Sequence, residues 1–153
     1  MLKLSHVKKT FNRGTVTEKR ALTGVDLTLA DGDFVTVIGG NGAGKSTLLM
    51  ATLTDPKLLL LDEHTAALDP KTAAKVLDLT ERIVAERRLT TLMVTHNMND
   101  AIRLGNRLIM MSDGNVIYDV SGDEKKSLTV PDLLRKFEEV SGGELANDRM
   151  LLS

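Results

Sequence analysis

Hydrophobic and polar residues alternate from the start of the chain, with Leu2 and Leu4, and His6 in register with them, on one face of a stretch running to Phe11. Asn12-Arg13-Gly14 then reads as a turn. A second alternating stretch, Val25-Asp26-Leu27-Thr28-Leu29, reaches the turn Asp31-Gly32-Asp33 and gives way to the nearly continuous apolar run Phe34-Val35-Thr36-Val37-Ile38. Alternation suits a strand with one wet face and an unbroken run suits a strand covered on both, so antiparallel edge strands precede a central parallel one. Farther on, the spacing predicts a helix from Lys45 to about Leu53, ended by Asp55-Pro56, and a second buried strand over Leu58-Leu59-Leu60-Leu61. Residues 71–86 have helical spacing at Ala74, Leu77, Ile83 and Val84, with Pro70 near the start and Arg87-Arg88 at the end, where cations suit the dipole. Thr90 to Thr95 predicts a third buried strand, Asn97 to Leu104 a short helix, and Arg107 to Met111 with Val116 to Val120 a hairpin around Ser112-Asp113-Gly114-Asn115. A last amphipathic helix spans Pro131 to Val140 and stops at Gly142-Gly143. Strand alternating with helix after residue 34 predicts an α/β domain, its mostly parallel sheet flanked by helices and preceded by an antiparallel β portion.

Composition narrows the reading only a little. A chain of 153 residues with 42% hydrophobic residues is the size of one domain, divided here into an antiparallel portion over 1–33, a core over 34–120 and a helical tail over 121–153. The formal net charge of −1, from 20 basic and 21 acidic side chains, supplies no global field for nucleic acid or anionic lipid. The absence of cysteine excludes disulfides and cysteine metal sites. No run approaches the roughly 20 apolar residues of a membrane-spanning helix.

Chemistry enters with Gly39-Gly40-Asn41-Gly42-Ala43-Gly44-Lys45-Ser46-Thr47, which fits G-x-x-x-x-G-K-[ST] at every fixed position and follows an apolar strand. Glycines at 39, 42 and 44 let the backbone bend tightly and aim successive N–H groups inward, so a triphosphate meets donors and a helix N-terminus. Lys45 adds positive charge near the outer phosphates, and the Ser46 hydroxyl is placed to ligate magnesium. Two further strand ends bear on the same edge. Leu58 to Leu61 runs into Asp62-Glu63, putting two carboxylates where ligands of open α/β sheets collect. Asp62 would hold magnesium or its water shell, and Glu63 would polarise an attacking water as general base. Thr91 to Thr95 delivers His96, which could hydrogen-bond the γ-phosphate or that water. An acid that ends a strand is also an ordinary helix cap, and a strand-end histidine an ordinary structural residue.

These segments, with Ala66-Ala67-Leu68-Asp69, stand in the order seen in the ATP-binding subunits of ABC transporters, and the chain resembles one of these from end to end. The resemblance implies ATP and Mg2+ as ligands. It makes Lys45, Ser46 and Thr47 the Walker A ligands beside Gly39, Asn41, Gly42, Ala43 and Gly44, Asp62 the Walker B aspartate, Glu63 the catalytic glutamate, Asp69 the D-loop aspartate and His96 the switch histidine. Ser46 and Asp62 are the implied magnesium ligands. Phe11 matches the aromatic on which the family stacks adenine, although it is equally an ordinary strand-end hydrophobe. His64 stands where proline is more usual, a change expected to alter loop stiffness more than chemistry. The implied partners are a membrane permease and a second ATP-binding subunit in a homodimer, with no nucleic acid, and the implied location is the inner face of the cell membrane on the cytoplasmic side. Kinases and GTPases share the phosphate loop, but no guanine-reading Asn-Lys-x-Asp string accompanies it here.

One departure stands out. Between Thr47 and Asp62 the chain has only Leu48 to Leu61, where the family places a strand ending in the Q-loop glutamine, a helical subdomain and a signature segment resembling L-S-G-G-Q. There is no glutamine anywhere in the sequence. Met50 to Pro56 resembles the end of the family's post-signature helix, and the eighteen residues from Gly40 to Lys57 exceed the roughly dozen that a parallel crossover needs, so a compact core is expected without the insert. Val140-Ser141-Gly142-Gly143-Glu144 reads as a helix stop and not as a displaced signature. In the family each signature loop donates N–H groups to the γ-phosphate held by the partner subunit, so its loss predicts nucleotide binding with much weakened hydrolysis. Two alternatives stay open: a shortened ATP-binding module with little or no turnover, or a natural protein whose insert is missing from this chain.

Overall fold

The computed structural model describes residues 1–53 and 58–141. The helix stops expected at Asp55-Pro56 and Gly142-Gly143 lie outside the described residues. Strands β1 (Leu2–Phe11) and β2 (Lys19–Leu29) form an antiparallel ribbon whose register runs from Leu2 opposite Leu29 to Phe11 opposite Lys19. β2 begins six residues before the alternation that announces it at Val25. The cause is a register shift between Val7 and Lys8, which face Val25 and Thr23 and leave Gly24, at φ 128° against the His6 ring, as an extra residue that switches the outward face and erases the period-two signal.

The second layer is a five-stranded sheet ordered β4-β5-β3-β6-β7, from β3 (Phe34–Gly39), β4 (Leu58–Asp62), β5 (Thr90–Val94), β6 (Arg107–Ser112) and β7 (Asn115–Ser121). β4, β5, β3 and β6 run parallel, and β7 closes one edge antiparallel to β6. The β6–β7 hairpin turns on Asp113 and Gly114, both at positive φ, as a two-residue primed turn requires. Helices α1 (Lys45–Thr52), α2 (Pro70–Arg87), α3 (Met98–Arg103), α4 (Gly122–Ser127) and α5 (Val130–Ser141) make the crossovers and the tail.

Both sheet faces are covered, which explains the unbroken apolar run in β3. Val35 and Val37 pack with Leu22, Leu27 and Leu29 of the ribbon and Leu48 of α1. Ile38 joins Met98 and Ala101 of α3 with Leu133 and Phe137 of α5, and Phe34 joins Leu77 and Val84 of α2. Each fully buried aliphatic side chain of this kind contributes about 1.5–3 kcal/mol.

Two expectations need correction. β4 is an edge strand and not a buried one: Leu58, Leu59, Leu60 and Leu61 are all half-buried, because β5 covers only one side. On α2 only Leu77 and Val84 are buried, while Ala74 and Ile83 face outward, since the helix lies on the sheet margin through a narrow contact with Phe34, Met93 and Leu104.

Helix α4 has no apolar period to announce it, and a buried cation holds it in place. Lys125 is 2% exposed, and its Nζ donates to the carbonyls of Ile102 (2.6 Å), Leu104 (2.7 Å) and Gly105 (3.3 Å), satisfying the C-terminal end of α3. Burial lowers the Lys125 pKa from 10.5 to about 8, opposed by the Glu81 carboxylate. The unfolded chain binds this proton more tightly, so the contribution is fully present above about pH 10.5 and is lost as pH falls to about 8. In urea unfolding, Lys125→Met is expected to cost about 1–2 kcal/mol at pH 7.5, from carbonyls left without donors. The cost should grow by about 1 kcal/mol at pH 9. A gap that narrows with rising pH would contradict this.

Candidate functional site

β3 runs straight into the glycine loop, and two glycines there are dictated by close approach. A Cβ on Gly39 would lie 2.4 Å from the Met111 carbonyl oxygen of β6, and one on Gly44 would lie 2.3 Å from the Ala21 carbonyl oxygen of β2. Gly44 also has φ 95° as the residue that opens α1, with no side chain capping the helix, so the first-turn N–H groups point at the loop. The β6–β7 turn braces the loop from outside, Gly114 N donating to Ala43 O at 3.0 Å.

Lys45 is 6% exposed and folds back under the loop, donating to the carbonyls of Gly39 (2.7 Å) and Gly40 (3.0 Å). Burial lowers its pKa, while Glu63 and Asp62 push it back up. A buried ammonium near two carboxylates at the bottom of a glycine cradle is the arrangement expected of an anion site, with its own counter-charges close by. Ser46 Oγ donates to Asp62 Oδ2 at 3.3 Å, joining the start of α1 to the end of β4.

The strand order makes this possible. β5 lies between β4 and β3, so the ends of all three are side by side. Glu63 has φ 47° and donates its backbone N–H to Val94 O at 2.9 Å, while Thr95 N donates to Val37 O at 3.1 Å. Each tip is thereby tied to the next strand. A non-glycine residue at positive φ is a local strain of the kind that gathers at functional sites. Across the tips, His96 Nε2 lies 2.5 Å from Glu63 Oε1, both side chains being partly exposed to the cleft.

Phe11, at the end of β1, is 42% exposed and lines the same cleft as Asn41, Thr47 and the glycine loop, with Lys9 Nζ 5.4 Å from the ring centroid. Asp69 stands apart. It caps α2, accepting from Thr72 N at 3.1 Å, and its hydrogen bonds with Thr72 hold its carboxyl below the usual range. His64 is half-buried with Nε2 lacking a hydrogen-bond partner among the described residues, and burial lowers its pKa. Lys19 and Ala21 of β2 also line the cleft, yet neither is visible in a motif; only the pairing of Lys19 with Phe11 in the ribbon brings them there.

The donor set fits a magnesium triphosphate. Hydroxyl and carboxylate oxygens meet at Ser46 and Asp62, and magnesium is usually held by one or two carboxylates with substrate phosphates rather than by an all-protein cage. Among the described residues no group of three or more His, Asp or Glu could form such a cage.

A strand, a glycine loop packed against its neighbours and a helix opening on a buried lysine define a phosphate-loop nucleotide-binding core. The sequence model of the family described as ABC transporter matches residues 22–54. A tyrosine transport ATP-binding protein of Clostridioides difficile is 46% identical over 138 residues, 89% of this chain and 55% of that protein. A thiamine import ATP-binding protein of Photorhabdus laumondii is 37% identical over 95 residues, 62% of this chain and 40% of that protein. Among solved structures, an ATP-binding cassette in a dimeric post-hydrolysis state bound to ADP and Pi superposes with TM-score 0.69 at 20% identity, covering 79% of this chain and 98% of that one. A nucleotide-free cassette from an ABC transporter gives TM-score 0.70 at 15% identity, covering 88% and 97%. The chain belongs to the ATP-binding cassettes of ABC transporters and carries part of that domain. It spans 55% and 40% of the length of the two curated relatives.

Proposed function

We propose that this chain is a shortened ATP-binding subunit of an ABC importer that binds Mg-ATP at the glycine loop and hydrolyses it far more slowly than its longer relatives. The observation that carries the reading is the meeting of the helix that bears Lys45 and Ser46 with the Asp62 strand end, Ser46 Oγ lying 3.3 Å from Asp62 Oδ2. Loop N–H groups and Lys45 would bind the phosphates, Phe11 would stack the adenine, and Ser46 with Asp62 would hold magnesium. Magnesium, when bound, neutralises phosphate charge. Glu63 would orient the attacking water and take its proton on Oε1, while His96 Nε2 holds that oxygen in place and reports on the outer phosphate. Asp69, which caps α2, would reach a second subunit as the D-loop residue. The parent assembly would pair two such subunits beneath a membrane permease on the cytoplasmic side. Import is supported by likeness to relatives such as the thiamine import ATP-binding protein.

Slow turnover follows from the missing signature segment. One preorganised donor to developing charge is worth about 2.7–4 kcal/mol, or roughly 100-fold to 1,000-fold in rate. Phosphate release by this polypeptide is therefore expected at least about 100-fold below that of the Clostridioides difficile relative assayed beside it. Intact mass, Mg-ATP affinity and phosphate release measured on one preparation test the whole reading. Release at the relative's rate sinks slow turnover, and no detectable Mg-ATP binding sinks the nucleotide site.

A further inference from the structure

The glycine loop is faced by two lysines, and the sequence motif accounts for one. Lys45 comes from below, buried and bonded to loop carbonyls. Lys19 comes from above, from the first residue of β2, and a Cβ on Gly42 would lie 2.9 Å from its Nζ and 3.7 Å from its Cε. Its ammonium is exposed, and no carboxylate pairs with it among the described residues. An unpaired cation resting over a loop of inward N–H groups adds to the field that the loop already presents to an anion.

Its position along the cleft is specific. Lys19 is the cross-strand partner of Phe11, so the ribbon's register sets the two residues side by side at the mouth of the same cleft. Lys45 and Ser46 lie at the opposite end of the loop, where α1 begins. Lys19 thus stands between the aromatic end and the metal-binding end. Resting on the nucleotide reading above, we infer that Lys19 is a second phosphate-binding cation that grips the inner phosphates shared by nucleoside di- and triphosphates, and so tethers the ribbon to the loop when nucleotide is bound. A lysine serves here as a mobile point charge that can leave Gly42 to follow a phosphate, with no need of the fixed fork of arginine.

Affinities for Mg-ATP, Mg-ADP and adenosine, measured by calorimetry on the full chain and its Lys19→Met, Lys19→Arg and Lys45→Ala variants, test this. Lys19→Met should weaken Mg-ATP and Mg-ADP by a similar factor, about fivefold, as expected for one partly exposed charge pair. Adenosine affinity should not change, Lys19→Arg should restore most of the loss, and the Lys19→Met effect should shrink as salt is raised. Unchanged Mg-ATP and Mg-ADP affinity in Lys19→Met, with Lys45→Ala impaired, overturns the Lys19 assignment alone. A loss confined to Mg-ATP moves Lys19 to the outer phosphate and also overturns it. If Lys45→Ala binds like the wild type, the nucleotide site fails, and the Lys19 inference with it.

Discussion

Replacing Lys45 by alanine is expected to weaken Mg-ATP binding about 100-fold, as loss of an ammonium able to make two charge-assisted hydrogen bonds implies. The magnitude rests on burial. An exposed lysine would lose about 1 kcal/mol at most, but Lys45 is only 6% exposed and lies near the carboxylates of Asp62 and Glu63. Removing it leaves magnesium alone to offset two acids that face the phosphates, so much of the attraction is lost. It also strips the carbonyls of Gly39 and Gly40 of their donor, and the loop loses the brace that keeps its N–H groups turned inward. Lys45→Met keeps much of the side-chain volume and should lose affinity to a similar degree. Calorimetry with Mg-ATP checks both variants, and affinity within threefold of wild type in either would refute the site.

The second large effect is on stability and comes from the same loop. Gly44→Ala should destabilise the chain by about 3–4 kcal/mol, the upper range for a single substitution. Its Cβ would meet the Ala21 carbonyl oxygen at 2.3 Å and Leu22 Cδ2 at 3.1 Å, and the first is backbone, which cannot swing away. The φ of 95° adds strain of about 1–2 kcal/mol for any residue with a Cβ. Gly40→Ala is the control, because a Cβ there meets nothing within 4 Å and φ is not in the left-handed region. It should shift unfolding by less than about 0.5 kcal/mol. Urea midpoints for the two variants read the difference directly, and equal destabilisation would mean that the ribbon does not press on the loop as described.

Legibility in the sequence follows the range of each interaction. The β3 run, the loop and the start of α1 are local patterns, each set by residues within a few positions, and they were readable. The β6–β7 hairpin was readable for the same reason, since Asp113-Gly114 encodes its own turn. Four consecutive leucines, by contrast, are equally compatible with the centre or the edge of a sheet, and only the strand order puts β4 at the edge. The ribbon's early start at Lys19 was hidden by a register shift, which breaks the period that marks a strand. Within the expected helical tail α4 was not distinguishable as a separate helix, because its anchor, Lys125, is a charged residue that finds its acceptors about twenty positions back along the chain.

By itself the amino-acid sequence determined the chemistry available to this protein: a glycine loop with Lys45 and Ser46, two acids after an apolar run, a histidine after another, and their order along an α/β chain. Those features are fixed by residue identity and by backbone preferences that act over one turn or one strand. The tertiary structure decided which of them meet. Interleaving β5 between β4 and β3 brings Ser46 to Asp62 and Glu63 to His96, while the ribbon's register carries Phe11 and Lys19 over the loop. Asp69, adjacent to these residues in sequence, went instead to the cap of α2. Pairing between distant strands depends on the packing of whole faces, a sum over many residues that no short segment contains.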